Sequence, residues 1–131
     1  PKEQNLRKIL NFGHTLGHAI ESFYLESKEK ENLTHGEAIA IGMVCELYMS
    51  LKLLEFPVEK LNEVKQVVLS IYNRTLLLKD DFYNIIALLK HDKKNINGQV
   101  NFVLLRDYED FKLDCIVSEA LIIESMEFYN L

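Results

Sequence analysis

Apolar residues recur at helical spacing through the opening of the chain: Leu6, Ile9, Leu10, Phe12, Leu16, Ala19, Ile20 and Phe23. That period predicts a helix from about Gln4 to Tyr24. The run Glu26-Ser27-Lys28-Glu29-Lys30-Glu31-Asn32 is polar throughout and reads as a solvated loop. Thr34-His35-Gly36-Glu37 has capping-box spacing, in which the Thr hydroxyl and the Glu carboxylate satisfy orphan amides at a helix start. A second helix is therefore expected from His35 to about Leu54. Ala38, Ile39, Ala40, Ile41, Met43, Val44, Leu47 and Tyr48 make it apolar nearly all round, as a buried central helix must be. Phe56-Pro57 ends it, because proline cannot continue the hydrogen-bond ladder.

The third helix, from about Val58 to Tyr72, sets Leu61, Val64, Val67, Val68 and Ile71 against Glu59, Lys60, Glu63 and Lys65, an amphipathic surface pattern. Asp80 or Asp81 can cap a fourth helix through about Lys90, with Phe82, Ile85, Ile86 and Leu89 inward. Asn97-Gly98 reads as a hairpin turn, since both residues tolerate positive φ, and Val100, Phe102 and Leu104 alternate after it. A second short strand is expected from about Lys112 to Ile116. Ser118 with Glu119 can start a final helix to Tyr129. The sum is a mainly α fold: a helical bundle domain with a small antiparallel β-hairpin near the C-terminus.

At 131 residues the chain is expected to be a single domain, and 48% hydrophobic content is enough for it to build a core. A net charge of -5 argues against nucleic acid or an anionic membrane as the main partner. No apolar run approaches the roughly 20 residues of a membrane span. Cys45 and Cys115 lie among apolar neighbours and read as buried free thiols, consistent with a reducing, cytoplasmic location. Pro1 rather than Met opens the chain, as expected of a piece of a longer protein or of N-terminal processing.

The chemistry concentrates on the first helix. Arg7, Asn11, His14 and His18 are spaced four, three and four residues apart, which stacks them in one polar stripe on an otherwise apolar helix. Gly13 and Gly17 flank the histidines. Each glycine costs a helix roughly 1 kcal/mol relative to Ala, so close approach of a ligand or of a second backbone must compensate. Two histidines at i and i+4 can reach one metal, and His35, returning at a helix start, can join them; a His pair with a carboxylate makes an open zinc site. The competing reading is that His14 and His18 only hydrogen-bond within the bundle. Arg7 suits a carboxylate or phosphate, and Asn11 a hydroxyl. Lys93 and Lys94 are either a solvated charge run or a cover for an anionic ligand. His91-Asp92 lacks the further histidines and aspartate of an HD-type phosphohydrolase.

The block Arg7-Lys8-Ile9-Leu10-Asn11-Phe12-Gly13-His14-Thr15-Leu16-Gly17-His18-Ala19-Ile20-Glu21 closely resembles the signature of the 3-dehydroquinate synthases. His35-Gly36-Glu37-Ala38-Ile39-Ala40-Ile41-Gly42-Met43, Asp92-Lys93-Lys94 and the stretch Val100 to Leu105 agree in order. The resemblance implies a helical C-terminal domain beside an N-terminal NAD-binding domain. It implies conversion of 3-deoxy-D-arabino-heptulosonate 7-phosphate, a small sugar phosphate, to 3-dehydroquinate and phosphate in the shikimate pathway of aromatic amino-acid biosynthesis. It also implies NAD as a transient hydride acceptor and Zn2+ (or Co2+) as a Lewis acid. By resemblance His14 and His35 are metal ligands, in place of the His14–His18 pair that spacing suggests. Arg7, Asn11, His18 and one or both of Lys93 and Lys94 are substrate contacts, with His18 and Asn11 closest to the chemistry. The third metal ligand, a glutamate, and a catalytic lysine belong to an AEVIK-like stretch that would precede Pro1. The isolated chain is accordingly expected to hold zinc weakly and to be inactive, and the complete enzyme to be a homodimer. Two alternatives stay open: another sugar-phosphate cyclase such as a 2-deoxy-scyllo-inosose synthase, and a non-catalytic helical association module.

Overall fold

The structure, a computed structural model, describes residues 14–27, 33–72, 76–92 and 100–131. Helix α1 (His14–Glu26) buries Leu16, Gly17, Ala19, Ile20, Phe23 and Tyr24, the arc that its helical period predicts. The expected beginning of this helix, from Gln4 to Gly13, lies outside the described residues, as does most of the polar loop that follows it. Helix α2 (His35–Leu54) begins on the capping box read from Thr34 and Glu37. Glu37 N–H donates to Thr34 Oγ1 at 3.1 Å, and Thr34 N–H donates to Glu37 Oε1 at 3.2 Å. Twelve of its twenty residues are buried, which makes it the central element.

Glycine 17 lets α1 and α2 meet backbone to backbone. A Cβ at that position would lie 2.9 Å from Ile39 Cα and 3.2 Å from Ala38 O. Of the two compensations the sequence allows for this glycine, the second backbone is the one present. Gly17→Ala is expected to destabilise the chain by about 1–3 kcal/mol, because overpacking outweighs the gain in helix propensity. Thermal or urea denaturation checks this; a stabilised variant would mean that the helices separate easily.

Helix α3 (Val58–Ile71) buries Leu61, Val64 and Val68. Val67 is half-buried, and Ile71, the last residue of the helix, is 56% exposed rather than inward. In helix α4 (Lys79–Asp92), Phe82, Ile85, Ile86 and Leu89 are all buried, as expected. Neither Asp80 nor Asp81 precedes this helix; Asp81 lies within its first turn and accepts from Leu78 N–H at 3.0 Å.

Strands β1 (Val100–Asp107) and β2 (Asp110–Val117) form an antiparallel two-stranded sheet. Their turn is Tyr108-Glu109, with Glu109 at φ 68°; Asn97-Gly98, the turn that composition favours, lies outside the described residues and does not join these strands. An extra β2 residue between the Phe102–Cys115 and Leu104–Lys112 pairs makes a bulge, where Asp114 takes φ 55°. Helix α5 (Glu119–Asn130) starts at Ser118, whose hydroxyl accepts from Leu121 N–H at 3.2 Å. Among the described residues the fold is therefore mainly α, with five helices and one hairpin. Its core draws on every one of these elements. Buried Ser50 couples α2 to the sheet: its hydroxyl donates to Glu46 O at 2.8 Å and accepts from Leu105 N–H at 3.0 Å. Both cysteines are free and buried, and burial pushes the Cys45 thiol up to about 12.

Candidate functional site

The close crossing at Gly17 fixes where the second helix begins relative to the first. With Ala38 and Ile39 against Gly17, the opening residue of α2, His35, falls beside the polar face of α1. There it meets His18: the two ring centroids are 6.1 Å apart. His18 also meets His14, one helical turn away, edge to face at 5.4 Å. Three imidazoles thus lie in sequence across two helices, with His18 in the middle.

A carboxylate joins them. Glu21 Oε1 and Oε2 lie 3.0 and 3.2 Å from His35 Nδ1. The glutamate is the more enclosed partner, its side chain 26% exposed against 61% for the imidazole. Glu21 was not among the residues that the sequence singled out, although the signal was present. It stands three residues after His18 and seven after His14, so it continues the same helical stripe.

A second acid supports the site from below. Glu46 is 1% exposed within the apolar α2 helix, and its Oε2 accepts the Leu16 N–H at 2.9 Å. Leu16 lies on α1 between His14 and His18. A buried polar group is tolerated only when hydrogen-bonded, and this contact ties the histidine-bearing turn to the central helix.

The donors suit a divalent metal of the zinc kind in part. Imidazole nitrogen is a preferred ligand, and metal-bound histidines commonly carry a carboxylate on their other nitrogen, which is the arrangement of His35 and Glu21. Among the described residues, however, no three His, Cys, Asp or Glu side chains converge to hold an ion. Any complete centre built here needs a ligand from elsewhere. Arg7, Asn11, Lys93 and Lys94, the other expected site residues, lie outside the described residues. An open groove of about 400 Å³ lies between α1 and α4, lined by Phe23, Glu26, Ser27, Asn84, Ala87 and Leu88. None of the imidazoles lines it, so the groove is not the centre of this chemistry. No helix among the described residues is long and apolar enough to cross a membrane.

Residues 1–95 match the family model described as 3-dehydroquinate synthase C-terminal. The chain belongs to that family. A 3-dehydroquinate synthase of Parabacteroides distasonis is 43% identical over 130 residues, covering 99% of this chain and 36% of the relative. One from Thermoanaerobacter pseudethanolicus is 40% identical over 127 residues, covering 92% and 33%. A solved 2-deoxy-scyllo-inosose synthase superposes with a TM-score of 0.65 at 27% identity, covering 90% of this chain and 31% of that one. A second solved 2-deoxy-scyllo-inosose synthase, complexed with carbaglucose-6-phosphate, NAD+ and Co2+, shares the fold at a TM-score of 0.68 and 24% identity, over 88% of this chain and 33% of that one. The present chain spans about a third of the length of the curated relatives it matches.

Proposed function

We propose that residues 1–131 are the C-terminal metal- and substrate-binding domain of a 3-dehydroquinate synthase. The whole protein would convert 3-deoxy-D-arabino-heptulosonate 7-phosphate to 3-dehydroquinate and phosphate, a carbon–oxygen lyase reaction of the shikimate pathway. The observation that carries this reading is the row of His14, His18 and His35 across α1 and α2, in a chain whose sequence matches that family. A scaffold used only for association has no need of three neighbouring imidazoles and a carboxylate at a helix crossing.

In this reading His14 and His35 hold the metal, and a glutamate from polypeptide outside the chain completes its protein ligands. Zinc or cobalt would polarise the substrate's hydroxyl oxygens, and NAD, held mainly by an N-terminal domain, would accept and return a hydride. The chain's own residues do the rest. His18, between the two ligands, donates a hydrogen bond to a substrate hydroxyl or phosphate oxygen, and Asn11 does the same. Arg7 offers a fork of donors matched to a carboxylate or phosphate, which a lysine from the Lys93-Lys94 pair reinforces. Holding the anionic ends in this way orients the reacting carbon without bond-making by the protein. The isolated chain lacks part of this set and is expected to bind zinc weakly and to turn nothing over. The complete enzyme is expected to act as a cytoplasmic homodimer.

A specific observation keeps a second product in view: the structural likeness to 2-deoxy-scyllo-inosose synthase, another sugar-phosphate cyclase. Supplying the full-length protein with NAD, zinc and either the heptulosonate phosphate or glucose 6-phosphate separates the two. Phosphate release and a carbocyclic product from the heptulosonate alone are expected. Turnover of the hexose phosphate alone would assign the other reaction, and turnover of neither would contradict both.

A further inference from the structure

We propose that Glu21 is a positioning residue that fixes which nitrogen of His35 is presented to the metal; this rests on the reading of His35 as a ligand. A neutral imidazole carries one proton, and the partner of one nitrogen decides the role of the other. Both oxygens of Glu21 face Nδ1, at 3.0 and 3.2 Å. A carboxylate only accepts, so Nδ1 carries the proton and Nε2 keeps its lone pair for a ligand. The geometry also distinguishes holder from held. Glu21 is mostly enclosed on α1, whereas the imidazole projects from the first residue of α2 with 61% of its side chain open. The capping box is made by Thr34 and Glu37, so His35 is not needed to start its helix.

A purely structural contact at this exposure would contribute little to stability and nothing to metal affinity. A ligand-orienting carboxylate instead changes metal affinity, by about 10–100-fold when removed. The two roles therefore give different readouts.

The test uses E21A, E21Q and H35A. Long-range 15N–1H spectra at a pH where His35 is neutral report which ring nitrogen is protonated, with no metal present. The wild type is expected to show the Nδ1–H form. E21A is expected to move toward the Nε2–H form, and E21Q to restore Nδ1–H, because a glutamine carbonyl still accepts. In the full-length protein, chelator competition for zinc is expected to show a 10–100-fold loss of affinity in E21A, near-wild-type affinity in E21Q, and a larger loss in H35A. Unchanged His35 protonation in E21A overturns the proposal. So does unchanged zinc affinity in E21A when H35A lowers it. Unchanged affinity in H35A overturns the ligand reading and the proposal with it, and the metal-free spectrum still reports separately whether the Glu21 contact exists.

Discussion

His35→Ala in the full-length protein is expected to lower kcat/KM by on the order of a thousandfold and to release the bound metal. Lewis-acid stabilisation of developing charge is worth several kcal/mol, and each 1.36 kcal/mol is a decade in rate. The loss is expected without unfolding. The side chain is mostly exposed, its partner Glu21 is a partly exposed carboxylate, and α2 begins on Thr34 and Glu37 rather than on the imidazole. Stability should therefore change by no more than about 1 kcal/mol. His91→Ala is the control: this histidine is exposed in the last turn of α4, and its removal should leave both metal content and rate as they were. Equal effects of the two substitutions would remove His35 from the site.

For stability, the largest expected loss is at Phe102. Its ring is 1% exposed and packs from β1 into the common core, so Phe102→Ala should cost about 3–5 kcal/mol. That is a large share of the 5–15 kcal/mol that typically holds a domain folded. Burial along the hairpin is uneven. Val100, Leu104 and Leu105 are buried with Phe102, whereas Phe111 on β2 is 43% exposed. Phe111→Ala should therefore cost less than about 1 kcal/mol, as surface substitutions do. Urea midpoints for the two variants decide it, and similar losses would show that Phe111 is covered in the folded protein.

These contrasts mark what could and could not be seen in the chain. Signals that act within one turn were legible: the Thr34–Glu37 capping box and the Ser118 cap stand where their spacing puts them. So, among the described residues, was most of the buried arc of the helices, since burial follows the helical period directly; Val67 is only half-buried and Ile71, on the terminal turn, is exposed. The hairpin turn was not. Composition favours Asn97-Gly98, but the strands close through Tyr108-Glu109, where a glutamate accepts positive φ because the ladder on both sides holds it. Glu46 was equally hidden. An acid within an apolar helix becomes explicable only when the neighbouring Leu16 amide, thirty residues away, is seen to donate to it.

At the site, the histidines were legible because their types and spacing are unusual, and Gly17 because a glycine inside a helix needs a reason. What spacing alone could not choose was the pairing of His14 with His18 or with His35. That depends on the crossing of α1 over α2, a long-range fact that no local pattern encodes. The contact of His18 with both other rings makes it the shared neighbour, and the family resemblance is what assigns it to substrate. Glu21 completes the arrangement by tying the start of α2 to the polar face of α1.

The most direct measurement is anomalous diffraction at the zinc edge from crystals of the full-length protein. One zinc ion is expected about 2.0–2.1 Å from an imidazole nitrogen of His14 and from Nε2 of His35, with a glutamate from outside this chain completing the protein ligands. Zinc bound to His18 in place of His35, or a single zinc site remote from all three imidazoles, would contradict the assignment.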